Sequence, residues 1–313
     1  MRKRFLALPV LGLAAGLVGV TPAYAHDHGS TPMPTTTAPP AAASSPNGFA
    51  PRFFTAALSG RNEVPVPGGP AVGDPDASGT ALVRVQGARV TFAVEWRGMT
   101  APTLGHIHQG AAGVNGPVQV ALFGSALPAT ATAAAGATTV TDPKIADSIR
   151  ANPAGFYVNL HSAEFPGGAV RGQLVPVHHR LDVLSVLEGG RQRAYLSGDQ
   201  EVPVAGGPAV GDPDGRAVAF IRARGEQVSY SLAWIGVTPT LGHIHQGAFG
   251  TNGPVKVPLF TTPVPATIFA MSGTVPTVDA ALVSELRSQP RAFYVNLHTA
   301  EFPGGAVRGQ IYW

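Results

Sequence analysis

Ten histidines occur in this 313-residue chain, and six of them fall into two sets with one spacing. His106 and His108 stand in Leu104-Gly-His-Ile-His-Gln-Gly110, and His161 follows 53 residues after the second. His243 and His245 stand in Leu241-Gly-His-Ile-His-Gln-Gly247, and His298 again follows after 53. Side chains at i and i+2 of a strand point to one face, with Cα atoms about 6.5–7 Å apart. Two imidazoles so placed can reach one ion at about 2 Å each, and a third from another strand completes a three-nitrogen site with an open position. An open position marks a reactive site, and imidazole-only ligation suits copper or zinc. One copper per set is expected, with zinc second. The competing reading is that a duplication copied three structural histidines, in which case the second set adds no independent support.

The neighbours of the third histidine bear on the same chemistry. In Phe156-Tyr-Val-Asn-Leu-His161, Tyr157, Asn159 and His161 share one strand face and can hold an imidazole by hydrogen bonds, or are ordinary exposed residues. Glu164 and Glu301 have two readings: acceptors for a histidine N–H, or ion-pair partners of Arg171 and Arg308 at a turn. Arg171 and Arg308 are in turn the candidate cations beside the open position. Asp74, Asp76, Asp212 and Asp214 lie in Gly-Asp-Pro-Asp segments, which could bind Ca²⁺ but are the usual composition of turns. Cleavage after Ala25 would create the N-terminus His26-Asp27-His28. A free amine and the imidazole of His28 could then wrap Cu(II) or Ni(II) in a square plane, or form a solvated tail.

These residues sit inside a longer internal repeat. Leu58-Ser-Gly-Arg-Asn-Glu63-Val-Pro returns at Leu196–Pro203, and Ala163-Glu-Phe-Pro-Gly-Gly-Ala-Val-Arg171-Gly-Gln returns at Ala300–Gln310. The offset is 138 before the histidine motif and 137 from it onward. A period this long means two domains of one fold. The expected division is a signal peptide at 1–25, a disordered linker at 26–50, domain 1 at 51–176, an inter-domain linker at 177–190 and domain 2 at 191–313.

Short strands dominate each repeat. Thr80–Val85 and Val90–Trp96 read as a hairpin about Gln86-Gly-Ala-Arg89, and Ala217–Arg222 with Val228–Trp234 repeats it. Further strands are expected at Val118–Phe123, Phe156–His161 and Arg171–Val175. One short helix per repeat is expected, capped by Asp142 with Pro143 at its first position and ending before Pro153, with a twin from Asp279 to about Ser288. Leu181–Leu187 is a candidate strand packed between the domains. The fold class is therefore all-β: two antiparallel, Greek-key-like sandwich or barrel domains, each with one short helix.

Composition agrees. There are 39 Gly and 30 Pro, and only 12% of residues are charged, which disfavours long helices. The absence of cysteine excludes disulfides, Cys-ligated metals and a Cys nucleophile. The net charge of +3 is carried by Arg2, Lys3 and Arg4 ahead of an apolar run, Phe5–Val20, and the site Ala23-Tyr-Ala25. That is the pattern of a secretory signal peptide, so the chain is expected to be secreted, extracellular or periplasmic. The mature chain would be near neutral, which argues against nucleic acid, and it would have no membrane anchor.

The motifs Gly105-His-Ile-His-Gln-Gly110 with Asn115-Gly-Pro117, and Tyr157-Val-Asn-Leu-His-Ser-Ala-Glu-Phe-Pro-Gly-Gly-Ala-Val-Arg-Gly-Gln173, resemble the chordin-type (CHRD) domain family. The resemblance covers both repeats and implies an extracellular module, which in animals occurs in secreted growth-factor antagonists. A weaker resemblance is to copper/zinc superoxide dismutase, a β-sandwich with Gly-x-His-x-His and a later strand histidine as copper ligands. It implies His106, His108 and His161, and His243, His245 and His298, as ligands. It also implies Arg171 and Arg308, after Gly167-Gly168 and Gly304-Gly305, as the arginines that attract superoxide. The bridging histidine, zinc cluster and disulfide of that family are missing, so the resemblance implies copper alone. The expected activity is superoxide dismutation, with superoxide or another small anion as partner. The alternatives are a non-enzymatic module that binds an extracellular protein, and a copper-sequestering protein. A zinc hydrolase is less favoured because no general base stands out.

Overall fold

A computed structural model describes residues 50–313. His26, His28 and the expected leader lie outside the described residues. In the first repeat the strands are β1 (Arg52–Ser59), β2 (Ser78–Gln86), β3 (Arg89–Arg97), β4 (Leu104–Gln109), β5 (Val118–Phe123) and β6 (Ala131–Thr139). Helix α1 (Pro143–Ala151) follows, then β7 (Phe156–His161), β8 (Val170–Gln173) and β9 (Val175–Val177). The second repeat runs β10 (Gln192–Ser197), β11 (Arg216–Arg224), β12 (Gln227–Ile235), β13 (Leu241–Gln246), β14 (Val255–Phe260) and β15 (Ile268–Val275). It closes with α2 (Ala280–Ser288), β16 (Phe293–His298) and β17 (Val307–Gln310).

All strand pairs are antiparallel, and each repeat is a β-sandwich. One ladder runs β1–β2–β3–β6 and the other β5–β4–β7–β8, the two meeting at Ser59 opposite Arg171. Between them Phe54, Val83, Phe92, Val94, Ile107, Val158 and Leu160 form the core. Period-two alternation explains this, because Ile107 points inward and so must turn His106 and His108 to the outer face. The helices begin where expected: Asp142 accepts from the Lys144 N–H at 2.9 Å, and Asp279 from the Leu282 N–H at 2.9 Å. The hairpin turn also falls at Gly87-Ala88 as expected.

Two features depart from the sequence reading, the seam between the repeats and the segment that covers it. β6, an Ala-rich segment, and its counterpart β15, neither with a clean alternation, are strands that pair across the repeats, with Ala134 opposite Met271 at the centre of the register. The pairs Ala135–Ala270 and Ala133–Ser272 exchange under the 137-residue offset, so the seam has a local two-fold axis. The segment Leu181–Leu187, expected as a candidate strand, instead contains a short 3-10 turn at Val183–Val186. Val183 and Leu187 pack with Leu82, Ala93, Ala135, Ala233 and Phe269 on the outer side of the seam. Small seam residues make room for this cover, which is why they lack the alternation of a half-solvated strand. Among the described residues, no helix is long and apolar enough to cross a membrane.

Candidate metal centre

The outer face of β4 and β7 brings the three histidines of each repeat together. His106 stands opposite Asn159, His108 opposite Tyr157, and Leu104 opposite His161. In the second repeat His243 faces Asn296 and His245 faces Tyr294. The donor nitrogens of His106, His108 and His161 all lie within 4.8 Å of one another, as do those of His243, His245 and His298.

Hydrogen bonds decide which nitrogen each ring offers. His108 Nδ1 donates to the Gly116 carbonyl at 2.9 Å, and His161 Nδ1 donates to the Pro166 carbonyl at 2.9 Å. A carbonyl only accepts, so both rings carry the proton on Nδ1 and keep an Nε2 lone pair. The Nε2 of His108 is buried with no partner, as is that of His245. His106 Nδ1 lies 3.3 Å from His161 Nε2, and His243 Nδ1 lies 3.3 Å from His298 Nε2. Two nitrogens about 2 Å from one ion stand about 3.3 Å apart at a tetrahedral angle. Two ligands of one such ion stand at most about 4 Å apart, so closing the set asks for a shift of less than about 1 Å. The 3.3 Å pairs suit a hydrogen bond between two rings as well as two ligands of one ion, so it is the buried Nε2 lone pair of His108 and of His245, left without a donor, that fits a metal ion better than a set of structural histidines.

Burial also disfavours the protonated form of His106, His108, His161, His243 and His245. Burial, and then the neighbouring His161 and His108, push His106 down to about 4. His243 falls to about 4 for the same reasons. His108, His161 and His245 are lowered by burial as well.

Arg171 and Arg308, expected beside an open position, lie elsewhere: they are 1% and 2% exposed. The Arg171 guanidinium lies 3.4 Å above the Tyr157 ring, whose other neighbour is the His108 ring, stacked at 4.9 Å and 10°. Arg308, Tyr294 and His245 repeat this column at 3.5 Å and 4.8 Å. Arg171 also donates to Asn115 Oδ1 and to the carbonyls of Ala111 and Val114, at 3.0, 3.0 and 2.6 Å. It therefore shapes the 110–117 loop that presents Gly116 to His108. Only glycine fits at 116, since a Cβ there would stand 1.6 Å from the Gln109 carbonyl oxygen.

Neither reading of Glu164 and Glu301 holds. Both are exposed, and among the described residues neither is in an ion pair. The His161 N–H finds the Pro166 carbonyl instead, because the turn after β7 folds back within five residues. Asp74 and Asp212 are turn formers: Asp74 accepts from the Asp76 N–H, and Asp212 from the N–H groups of Asp214 and Gly215.

The acidic groups that do approach the outer face are Glu63 and Glu201, which the sequence reading did not single out. Asn159 Nδ2 donates to Glu63 Oε2 at 3.4 Å, while Glu63 Oε1 and Asn159 Oδ1 are buried without partners. Burial raises Glu63 to about 7 against the opposing pull of Arg171 and Asn159, and Glu201 likewise reaches about 7. Gly168 leaves room for this carboxyl, with φ of 138° and a would-be Cβ 2.7 Å from Glu63 Oε1. The available signal was the recurrence of Glu-Val-Pro in both repeats. Beside His245 a cleft of about 220 Å³ opens between Val202, Val204, Pro208 and Val210 on one side and Asn252, Tyr294 and Asn296 on the other.

Comparisons with curated proteins and with solved structures returned no match. The family model described as CHRD domain matches twice, over residues 54–174 and 192–311. Each match spans one sandwich with its histidine triad, and the chain belongs to the CHRD domain family in tandem form.

Proposed function

We propose that this is a secreted copper protein with one three-histidine site per repeat, acting as a copper-only superoxide dismutase. The observation that carries the reading is the buried, unpartnered Nε2 of His108 and His245, each aimed among two further histidines. Copper held there supplies one-electron exchange: one superoxide is oxidised to O₂, and a second takes up one electron and two protons to give H₂O₂.

The protein's own groups suit that chemistry. His106, His108 and His161 stay neutral and pre-oriented, two of them through backbone carbonyls, so they need little reorganisation. Arg171 and Arg308 are fixed positive charges one aromatic ring behind a ligand; they attract an anion by field and touch no reacting atom. Glu63 and Glu201, raised to about 7, hold a proton near neutral pH, one amide away from the triad face.

The test is metal analysis and EPR on secreted protein, followed by a superoxide assay. About two copper ions per chain, a nitrogen-rich Cu(II) spectrum and dismutation support the reading. His161→Ala with His298→Ala should remove both. Copper without activity would favour sequestration, and no copper after loading would favour structural histidines. A binding module is the second reading. It rests on Ile235, which is 70% exposed beside an apolar groove lined by Leu184, Val218, Ala233 and Phe269.

A further inference from the structure

A cavity of about 490 Å³ lies on the second repeat, away from the histidines. Arg191, Arg222, Arg287 and Trp313 surround it, with Gly189 and Gly190 as bare backbone between them. A volume of this size is in the range of small-molecule sites, about 300–1,000 Å³. The side chain of Gln192 is buried, and its Nε2 donates to the Leu286 carbonyl at 2.6 Å, fixing the end of α2 and so the base of Arg287. Arg222 donates to the Gly189 carbonyl at 2.8 Å and lies 3.7 Å from Glu188, the one carboxylate paired here. Among the described residues, Arg191 and Arg287 enter no ion pair.

The first repeat shows how these cations came free. Arg150 is the counterpart of Arg287, and it pairs with Asp147 and donates to the Gly87 carbonyl at 2.9 Å. Ser284 stands where Asp147 would be, so Arg287 has lost its acid. Phe53 stands where Arg191 does, and β9 pairs with it through Val177. Trp313 takes the place of Pro176 in that strand.

We propose that this cavity binds an acidic saccharide, with the guanidinium groups on its carboxylate or sulfate and the indole against a sugar ring. Planar guanidinium forks match both anions, and a half-exposed indole offers an apolar face with a polar edge. A compact pocket suits a short charged ring, whereas nucleic acid calls for a basic stripe. A saccharide as ligand rests on the proposal above that the chain is secreted, which would set its ligands outside the cytoplasm, where such sugars occur.

Trp313 is 55% exposed, while Trp96 and Trp234, the other two tryptophans, are 5% and 4% exposed. Changes in exposed-indole emission and in acrylamide quenching therefore report this cavity. Full-length secreted protein would be titrated with digalacturonate, a sulfated chondroitin disaccharide, cellobiose, inorganic sulfate and an oligothymidylate. A saturable emission shift with either acidic sugar, at least tenfold tighter than with cellobiose or sulfate, supports the proposal, and the stronger of the two identifies the anion. Arg191→Gln with Arg287→Gln should weaken it at least tenfold with unchanged thermal stability. No protection of Trp313 by either sugar overturns the proposal. Equal binding of cellobiose, of sulfate at matched ionic strength or of the oligothymidylate does so as well. Trp313→Ala, followed by calorimetry, separates loss of signal from loss of binding.

Discussion

Arg171 and His108 are held at a fixed separation by one phenol ring, with Tyr157 stacked on both. The same arginine builds the loop whose Gly116 carbonyl fixes the His108 proton on Nδ1. Arg171→Gln removes both supports, and copper affinity of the first site should fall about 10–100-fold, the usual cost of losing a group that orients a ligand. Arg171→Lys keeps the charge but not the fork and should restore only part. Competition titration with a copper chelator reads the difference.

Gly116→Ala offers a sharper separation of the two sites. The new methyl collides with the Gln109 carbonyl, the loop must move, and His108 loses its acceptor. Copper should fall from about two to about one per chain, with the triad at His243, His245 and His298 retained. Unchanged stoichiometry would contradict the role given to this loop.

Stability should depend on pH through two opposed groups. Glu63 and Glu201 have folded values raised from 4.5 to about 7. Their contribution is full below about pH 4.5 and is lost as pH rises towards 7. His106 and His243 are lowered from 6.5 to about 4, so their contribution is present above pH 6.5 and is lost as pH falls towards 4. Glu63→Gln with Glu201→Gln removes the first dependence. Relative to wild type, the metal-free variant should gain melting temperature at pH 8 compared with pH 5. A constant difference across that range would show that the carboxyls titrate normally.

The histidine values also set when metal leaves. Because burial lowers His106 and His243 to about 4, protons compete poorly for these two ligands, and copper should be released at a lower pH than it would be from free imidazole. Equilibrium dialysis across pH 3.5–7 measures this. Release already at pH 6 would mean that the rings protonate as free imidazole does.

An imperfection at the seam can be repaired. Thr130 Oγ1 meets the Tyr230 hydroxyl at 2.8 Å, but the Oγ1 of its counterpart Thr267 is buried without a partner. Phe92 stands where symmetry would place a second tyrosine, and its ring lies with Thr267 beside Gly136. Phe92→Tyr should supply the missing hydroxyl and stabilise the protein by about 1 kcal/mol, seen as a higher midpoint in chemical denaturation.

The histidine triads were legible because strand periodicity is local: His-x-His fixes a face, and the polar alternation of Tyr157, Asn159 and His161 fixes the matching one. The hairpins and helix caps were legible for the same reason. The role of Arg171 was not, since a side chain's direction says nothing about which loop folds over it. Glu63 and Glu201 were missed because they meet the site from a loop about a hundred residues from the strand they contact. The seam strands were missed because Ala131–Thr139 carries no pattern, its solvent side being covered by the linker.

That seam has a consequence for how the chain can be divided. Sheet edges left unpaired seek another strand. A single repeat cut from this chain would present β6 or β15 as such an edge, with a geometry already self-complementary about a two-fold axis. It should associate with its own copy, so the tandem chain amounts to a homodimer whose subunits were spliced into one polypeptide. Splicing also frees the halves from identity: Ser284 can replace Asp147 on one side alone, which two copies of one gene product could never do.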